Sequence, residues 1–328
     1  MTIAILMAAW AGIATITLAS AAYGQSDLGN YPSKPVTIIV PFGPGASTDH
    51  EARLYARKLG EITGGTFVVD FKPGAGSTIG TAHVARAAPD GYTLLAFTSG
   101  FTTAPALFKD LPYDPLKDFA PISLMSKRSV VLVAYASAPF RNLAEYIEHT
   151  RKHPGDVNVA TAGMGSGPHL NMAWLHYLIK SKATYVHYKG SQPAMVDVTS
   201  GRVQVMATAL SSALPVIKAG RLQAIAILNA ERSAQLPDLA TVSEQGMSEY
   251  DYSSPFGFVT RSGAAPSVIQ FLNRNLAKVA ASPEIVKAIE ASSGKMIGTT
   301  PDDLNRLIIR EINLYKKLAQ STGMKLQE

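Results

Sequence analysis

Val36-Thr37-Ile38-Ile39-Val40-Pro41-Phe42 runs directly into Gly43-Pro44-Gly45-Ala46-Ser47-Thr48-Asp49, and this junction decides the fold class. The first half is a continuous β-branched run, the signature of a strand buried on both faces. The second half is a Gly/Pro turn opening a helix-period segment from Ser47 to Gly60. A strand, a tight turn and a helix begin a crossover unit, which is how parallel sheets with helical faces are built. The same alternation continues outward, with strands predicted at 67–69, 92–97, 130–134, 157–160, 184–187, 203–207 and 222–227. Helices are predicted between them at 79–88, 143–152, 169–179 and 194–200. From Pro266 onward the pattern is purely helical, over 268–280, 283–292 and 301–321. Pro266, Pro283 and Pro301 fall at or near the first turn of these helices, where a missing N–H costs nothing. The reading is an α/β protein of two lobes, 26–127 plus 256–328 and 128–255, each a mostly parallel sheet flanked by helices.

Composition narrows the function. The 328 residues are 47% hydrophobic and 16% charged, which supplies a core and excludes disorder. Cysteine is absent, so disulfides, thiolate metal sites and cysteine nucleophiles are excluded together. The 30 Lys+Arg against 24 Asp+Glu leave +6 without any basic run, a balance that suits small anionic ligands and not nucleic acid. Residues 1–26 carry no charge, and 3–22 are almost wholly apolar or small. That stretch is either a spanning helix or a secretory signal. Ala19, Ala21, Ala22 and Gly24 give small residues at the positions a signal peptidase reads, so the expectation is a signal peptide over 1–25 and export to the periplasm.

A second turn, Thr161-Ala162-Gly163-Met164-Gly165-Ser166-Gly167-Pro168-His169, also links a predicted strand to a predicted helix. Helix N-termini carry unpaired N–H groups and about half a positive charge, and glycine lets a ligand reach them. Two such turns face to face would hold a carboxylate or phosphate, although tight geometry and capping alone also account for Gly and Ser there. Sharper motifs fail on spacing. Neither turn has the lysine of a P-loop, and Gly74-Ala75-Gly76 and Gly163/Gly165 lack the third glycine of a dinucleotide fingerprint. Met164 stands where a nucleophile elbow needs glycine. His149 and His153, four apart, read as a solvated helix end beside Arg151 and Lys152. Lys189, in a third glycine-bearing turn, is either an exposed turn charge or a source of field at the site.

Taken in order, these segments resemble the periplasmic receptors of tripartite tricarboxylate transporters, the Bug family. The markers are Tyr31-Pro32-Ser33-Lys34-Pro35 with the strand and turn to Asp49, Lys72-Pro73-Gly74-Ala75-Gly76, Pro89-Asp90-Gly91-Tyr92-Thr93-Leu94-Leu95, Leu111-Pro112-Tyr113-Asp114-Pro115, Gly163 to Leu170, Tyr188-Lys189-Gly190 and Leu236-Pro237-Asp238. The resemblance implies a Venus-flytrap fold of the type II periplasmic-binding-protein kind and a carboxylate held between the two turns. It implies ligand contacts at Phe42, Gly45, Ala46, Ser47, Thr98, Ser99, Gly163, Gly165, Ser166, His169, His187, Thr208 and Phe256, with no catalytic residue, metal or cofactor. Its partners would be a small carboxylate and the membrane permease subunits, with the receptor itself a monomer.

The sequence departs from the family pattern at His187, at Ala207-Thr208 where Phe-Asp is usual, and at Pro255-Phe256-Gly257 where a Trp is usual. Loss of that Asp, a donor at His187 and an apolar ring at Phe256 give the expectation of a dicarboxylate with an apolar or aromatic middle. Two rivals stand beside the receptor: an exported hydrolase using Ser47, Ser166 and His169, and a sensory binding module for a membrane kinase.

Overall fold

The computed structural model describes residues 29–322, so the expected signal segment lies outside the described residues. In chain order the elements are β1 (Val36–Val40), α1 (Ser47–Thr63), β2 (Phe67–Phe71), α2 (Thr78–Ala85), β3 (Thr93–Phe97), α3 (Ser99–Leu107), β4 (Phe119–Arg128), β5 (Val130–Tyr135), α4 (Leu143–Lys152) and β6 (Asn158–Thr161). There follow α5 (Gly167–Leu178), β7 (Thr184–His187), α6 (Ser191–Thr199), β8 (Val205–Ala209), α7 (Leu210–Lys218), β9 (Leu222–Ile227), β10 (Ser254–Arg261), α8 (Pro266–Ala280), α9 (Pro283–Ala291), β11 (Gly294–Met296) and α10 (Pro301–Thr322).

Two sheets form, one per lobe. The first is six-stranded, ordered β11-β4-β10-β3-β1-β2, and the second five-stranded, ordered β7-β6-β8-β5-β9. In the first, β10 runs antiparallel to both β3 and β4. In the second, β5 runs antiparallel to both β8 and β9. These two are the strands through which the chain arrives from the other lobe, so they enter from the opposite end of the sheet.

Each sheet is buried on both faces. Val36, Ile38 and Val40 pack into one core and Ile39 into another on the far side. Val130, Leu132 and Ala134 likewise face one core of the second lobe, with Val131 and Val133 facing the other. This is the two-residue period of a strand between two helical layers.

The three proline-opened helices are present. The tail is not purely helical, however: β11 pairs with the last residues of β4 as an edge strand. At three residues it is too short to show a period. The end of α10 adds Tyr315, Leu318 and Ala319 to the core of the second lobe, alongside Leu170, Trp174 and Tyr250.

Candidate functional site

A cavity of about 170 Å³ lies between the lobes. Five helices begin at it: Ala46–Thr48 of α1, Thr98–Gly100 of α3, Ser166–Pro168 of α5, Gly190–Gln192 of α6, and Thr208 with Ala209 at the start of α7 all line the wall. None of these five has a side-chain cap on its first-turn N–H groups. The first N–H groups of a helix have no partner inside it, so the cavity collects their donors and the positive ends of their dipoles.

Two cations and no carboxylate stand among the described lining residues, the cations being Arg128 and Lys189. Lys189 is exposed, whereas Arg128 is only 2% exposed. The Arg128 guanidinium lies 3.2 Å (Nε to Oε1) from the Glu51 carboxylate, itself 1% exposed. Ser126 Oγ donates to Glu51 Oε2 at 2.6 Å, and Tyr55 OH donates to the same oxygen at 3.3 Å. The ion pair is poorly aligned as a hydrogen bond, and Arg128 Nε and Nη1 have no protein acceptor. Two buried hydroxyls on the same cavity, Thr98 Oγ1 and Thr208 Oγ1, also lack a partner. Buried polar groups are nearly always paired, so four unpartnered polar atoms on three residues of one cavity wall set this region apart.

The lobes meet over this cavity. Thr103 Oγ1 donates to the Gly165 carbonyl at 2.7 Å, and Ser99 Oγ and Tyr252 OH are 3.2 Å apart. The lobes are thus in direct contact across the cavity.

Of the residues singled out from the sequence, Phe42, Ala46, Ser47, Thr98, Ser99, Ser166 and Thr208 line the cavity. The others lie behind it. Gly45 N–H donates to Asp49 Oδ2 at 2.9 Å, which holds the first turn together. Gly165 N–H donates to His169 Nδ1 at 3.3 Å, and Ser166 Oγ donates to the Gly163 carbonyl at 2.6 Å. These donors shape the second turn and already have acceptors. Among the five helix starts, the first-turn N–H of Gly167 takes the place in the wall that the sequence reading gave to Gly165.

Three expectations are corrected. His169 packs its ring on Tyr185 and His187, and burial, helped by the His187 charge, pushes its pKa down to about 4. His187 faces Thr161, with Nδ1 2.7 Å from Oγ1, outside the cavity wall, and partial burial lowers its pKa. Phe256 is fully buried in the first-lobe core against Tyr55 and Phe258 and is not part of the cavity wall. Nor does the hydrolase constellation assemble. Ser166 hydroxyl bonds a carbonyl, and His169 serves the turn backbone.

Sequence reasoning passed over Arg128, Tyr252 and Ser254, which also line the cavity. The signal for Arg128 was legible: Lys127-Arg128 interrupts an otherwise apolar and small run from 119 to 134.

Residues 51–324 match the family described as Tripartite tricarboxylate transporter family receptor. The chain belongs to this family. Its members are periplasmic binding receptors and not enzymes, and among the described residues no helix is long and apolar enough to cross a membrane. The chain is 34% identical over 318 residues to BugT of Bordetella pertussis, covering 96% of this chain and 97% of that protein. Among solved receptors, R. palustris Rpa4515 with adipate has a TM-score of 0.86 at 29% identity, covering 90% of this chain and all of that one. MatC of Rhodopseudomonas palustris with bound malate has a TM-score of 0.83 at 29% identity, covering 88% of this chain and all of that one.

Proposed function

We propose that this tripartite tricarboxylate transporter receptor is exported to the periplasm, captures a small organic dicarboxylate as a monomer, and delivers it unaltered to the membrane subunits of its transporter. The observation that carries the reading is the convergence of five uncapped helix N-termini on a cavity whose described lining holds two cations and no carboxylate. Anions are favoured at such termini by roughly 0.3–1 kcal/mol each, more where partly buried. At about 170 Å³ the cavity is small beside drug-sized pockets, which favours compact acids over extended ones. The adipate and malate in the two solved receptors are diacids of this size class.

A thermal-shift series of aliphatic mono- and dicarboxylates, with neutral sugars and amines as controls, tests the reading. An acid at one hundred times its Kd adds about 2.7 kcal/mol of stability. Acids should raise Tm, controls should not, and mass spectrometry should recover the acid unchanged after long incubation. Stabilisation by sugars or amines alone, or turnover that follows protein concentration, would overturn it. Ser166→Trp, which fills the cavity wall, should abolish the acid-dependent rise while the protein still folds.

A further inference from the structure

The buried cation of the cavity is the strongest feature the family reading leaves unused. Arg128 ends β4, directly opposite Ser254 of β10, at the point where the chain passes from one sheet to the other. It therefore sits at the floor of the cleft and not on either moving wall. Its charged partner among the described residues, Glu51, faces it from α1, and Glu51 is fixed by Ser126 and Tyr55. The guanidinium thus keeps a set orientation while Nη1 and Nε remain without acceptors. Thr208, paired with Val131 across β8 and β5, has its own orphan hydroxyl and lines the same cavity. Desolvated donors left unmade are costly, and a guanidinium is built to hold a carboxylate by two parallel N–H groups.

We propose that Arg128 anchors a second ligand carboxylate, the first being held by the helix N-termini of the two walls, so that Arg128 sets the preference for diacids over monoacids. This rests on the carboxylate-receptor reading. Glu51 already balances the arginine charge, so what the ligand gains at Arg128 is a pair of directed, charge-assisted hydrogen bonds. A monoacid fills the helix-terminus site and leaves Arg128 as it stands.

Calorimetry on matched probes decides the matter: succinate against butyrate and adipate against hexanoate, on the wild type, on Arg128→Gln, and on Glu51→Gln combined with Arg128→Gln. The double variant removes both buried charges together, so that neither is stranded. Its melting transition confirms that it folds. In the wild type the diacid of at least one pair should bind more tightly than its monoacid. In both variants that advantage should fall by at least about 10- to 100-fold, the range of a single charge-assisted hydrogen bond, with monoacid affinity within about threefold of wild type. A diacid advantage that survives in both variants overturns the inference. So does an equal loss for both members of a pair, which would make Arg128 the holder of the first carboxylate. Equal wild-type affinity for monoacid and diacid sinks the second anion site but leaves the carboxylate receptor standing. Binding of none of the four acids sinks the receptor reading itself.

Discussion

The two walls of the cleft look alike in sequence and differ in what supports them. Each is a glycine-rich turn between a strand and a helix. Around Gly43 of the first wall a methyl group would meet nothing within 4 Å. In the second wall a methyl at Gly167 would sit 2.0 Å from Ser99 Oγ, across the cleft. Facing it, Gly76 of the first lobe comes so near that its added methyl would lie 2.5 Å from the Met164 carbonyl oxygen. The second wall is packed tightly against the opposite lobe, while the first is an open rim at Gly43. The backing differs too. Behind the second wall runs a chain of rings, with Tyr146 OH 2.6 Å from His176 Nε2 and Tyr185 OH 2.7 Å from His176 Nδ1. In the first lobe His50 and His83 are exposed. Similar turns therefore carry different duties, one adaptable and one structural.

Acid should separate the walls most strongly. Burial pushes both His169 and His176 down to about 4, against 6.5 for the free side chain. With the folded values depressed, the unfolded chain binds more protons, and this contribution to stability is full above about pH 6.5 and lost as pH falls toward 4. Each histidine contributes a slope of about 1.4 kcal/mol per pH unit inside that window. His169 Nδ1 accepts from Gly165 N–H, so its protonation also releases the turn. Urea unfolding at a series of pH values should show stability dropping from pH 6.5 to 5 by about 2–4 kcal/mol. His176→Asn should roughly halve the slope. A flat profile would mean the rings are not held neutral.

Closure comes next in size. Gly76→Ala places a methyl against backbone and asks a left-handed φ of +62° from alanine. Overpacking of this kind costs about 1–3 kcal/mol, so carboxylate affinity should fall roughly 5- to 100-fold as the closed form is disfavoured. Gly43→Ala should stay within about threefold. Equal losses from the two, measured by calorimetry, would break the distinction between a packed wall and an open rim.

How far the sequence reaches follows the same division. The buried strand runs were legible because their periods are local: Val36, Ile38 and Val40 go to one core and Ile39 to the other. The helix starts were legible from Gly, Ser and Pro. Which glycine is wedged by the other lobe was not, because Gly76 and Met164 are neighbours only in the fold. Phe256 was misplaced for a related reason. On a strand buried on both faces, alternation does not say which ring meets a cavity, and Phe256 meets Tyr55 instead. Arg128 was visible in the sequence as a break in an apolar run, but its pairing was not, because only the fold brings Glu51 beside it.

The smallest effect belongs to the other cation. Lys189 lines the cavity but is exposed, at the turn that opens α6. Its attraction for an incoming acid acts through water, where exposed charges contribute about 0.2–1 kcal/mol and chiefly speed association. Lys189→Gln should therefore weaken diacid binding by about 1.5- to 5-fold at low ionic strength. Near 1 M salt, where the screening length is about 3 Å, the difference should vanish. The contribution of Arg128, shielded from solvent, should persist there. Stopped-flow binding at low and high salt reads both at once, in the association rate for Lys189 and the dissociation rate for Arg128. If the Lys189 effect is as large as that of Arg128, or survives high salt, the exposed cation is a ligand contact in its own right, and the second wall holds more of the acid than its helix termini alone.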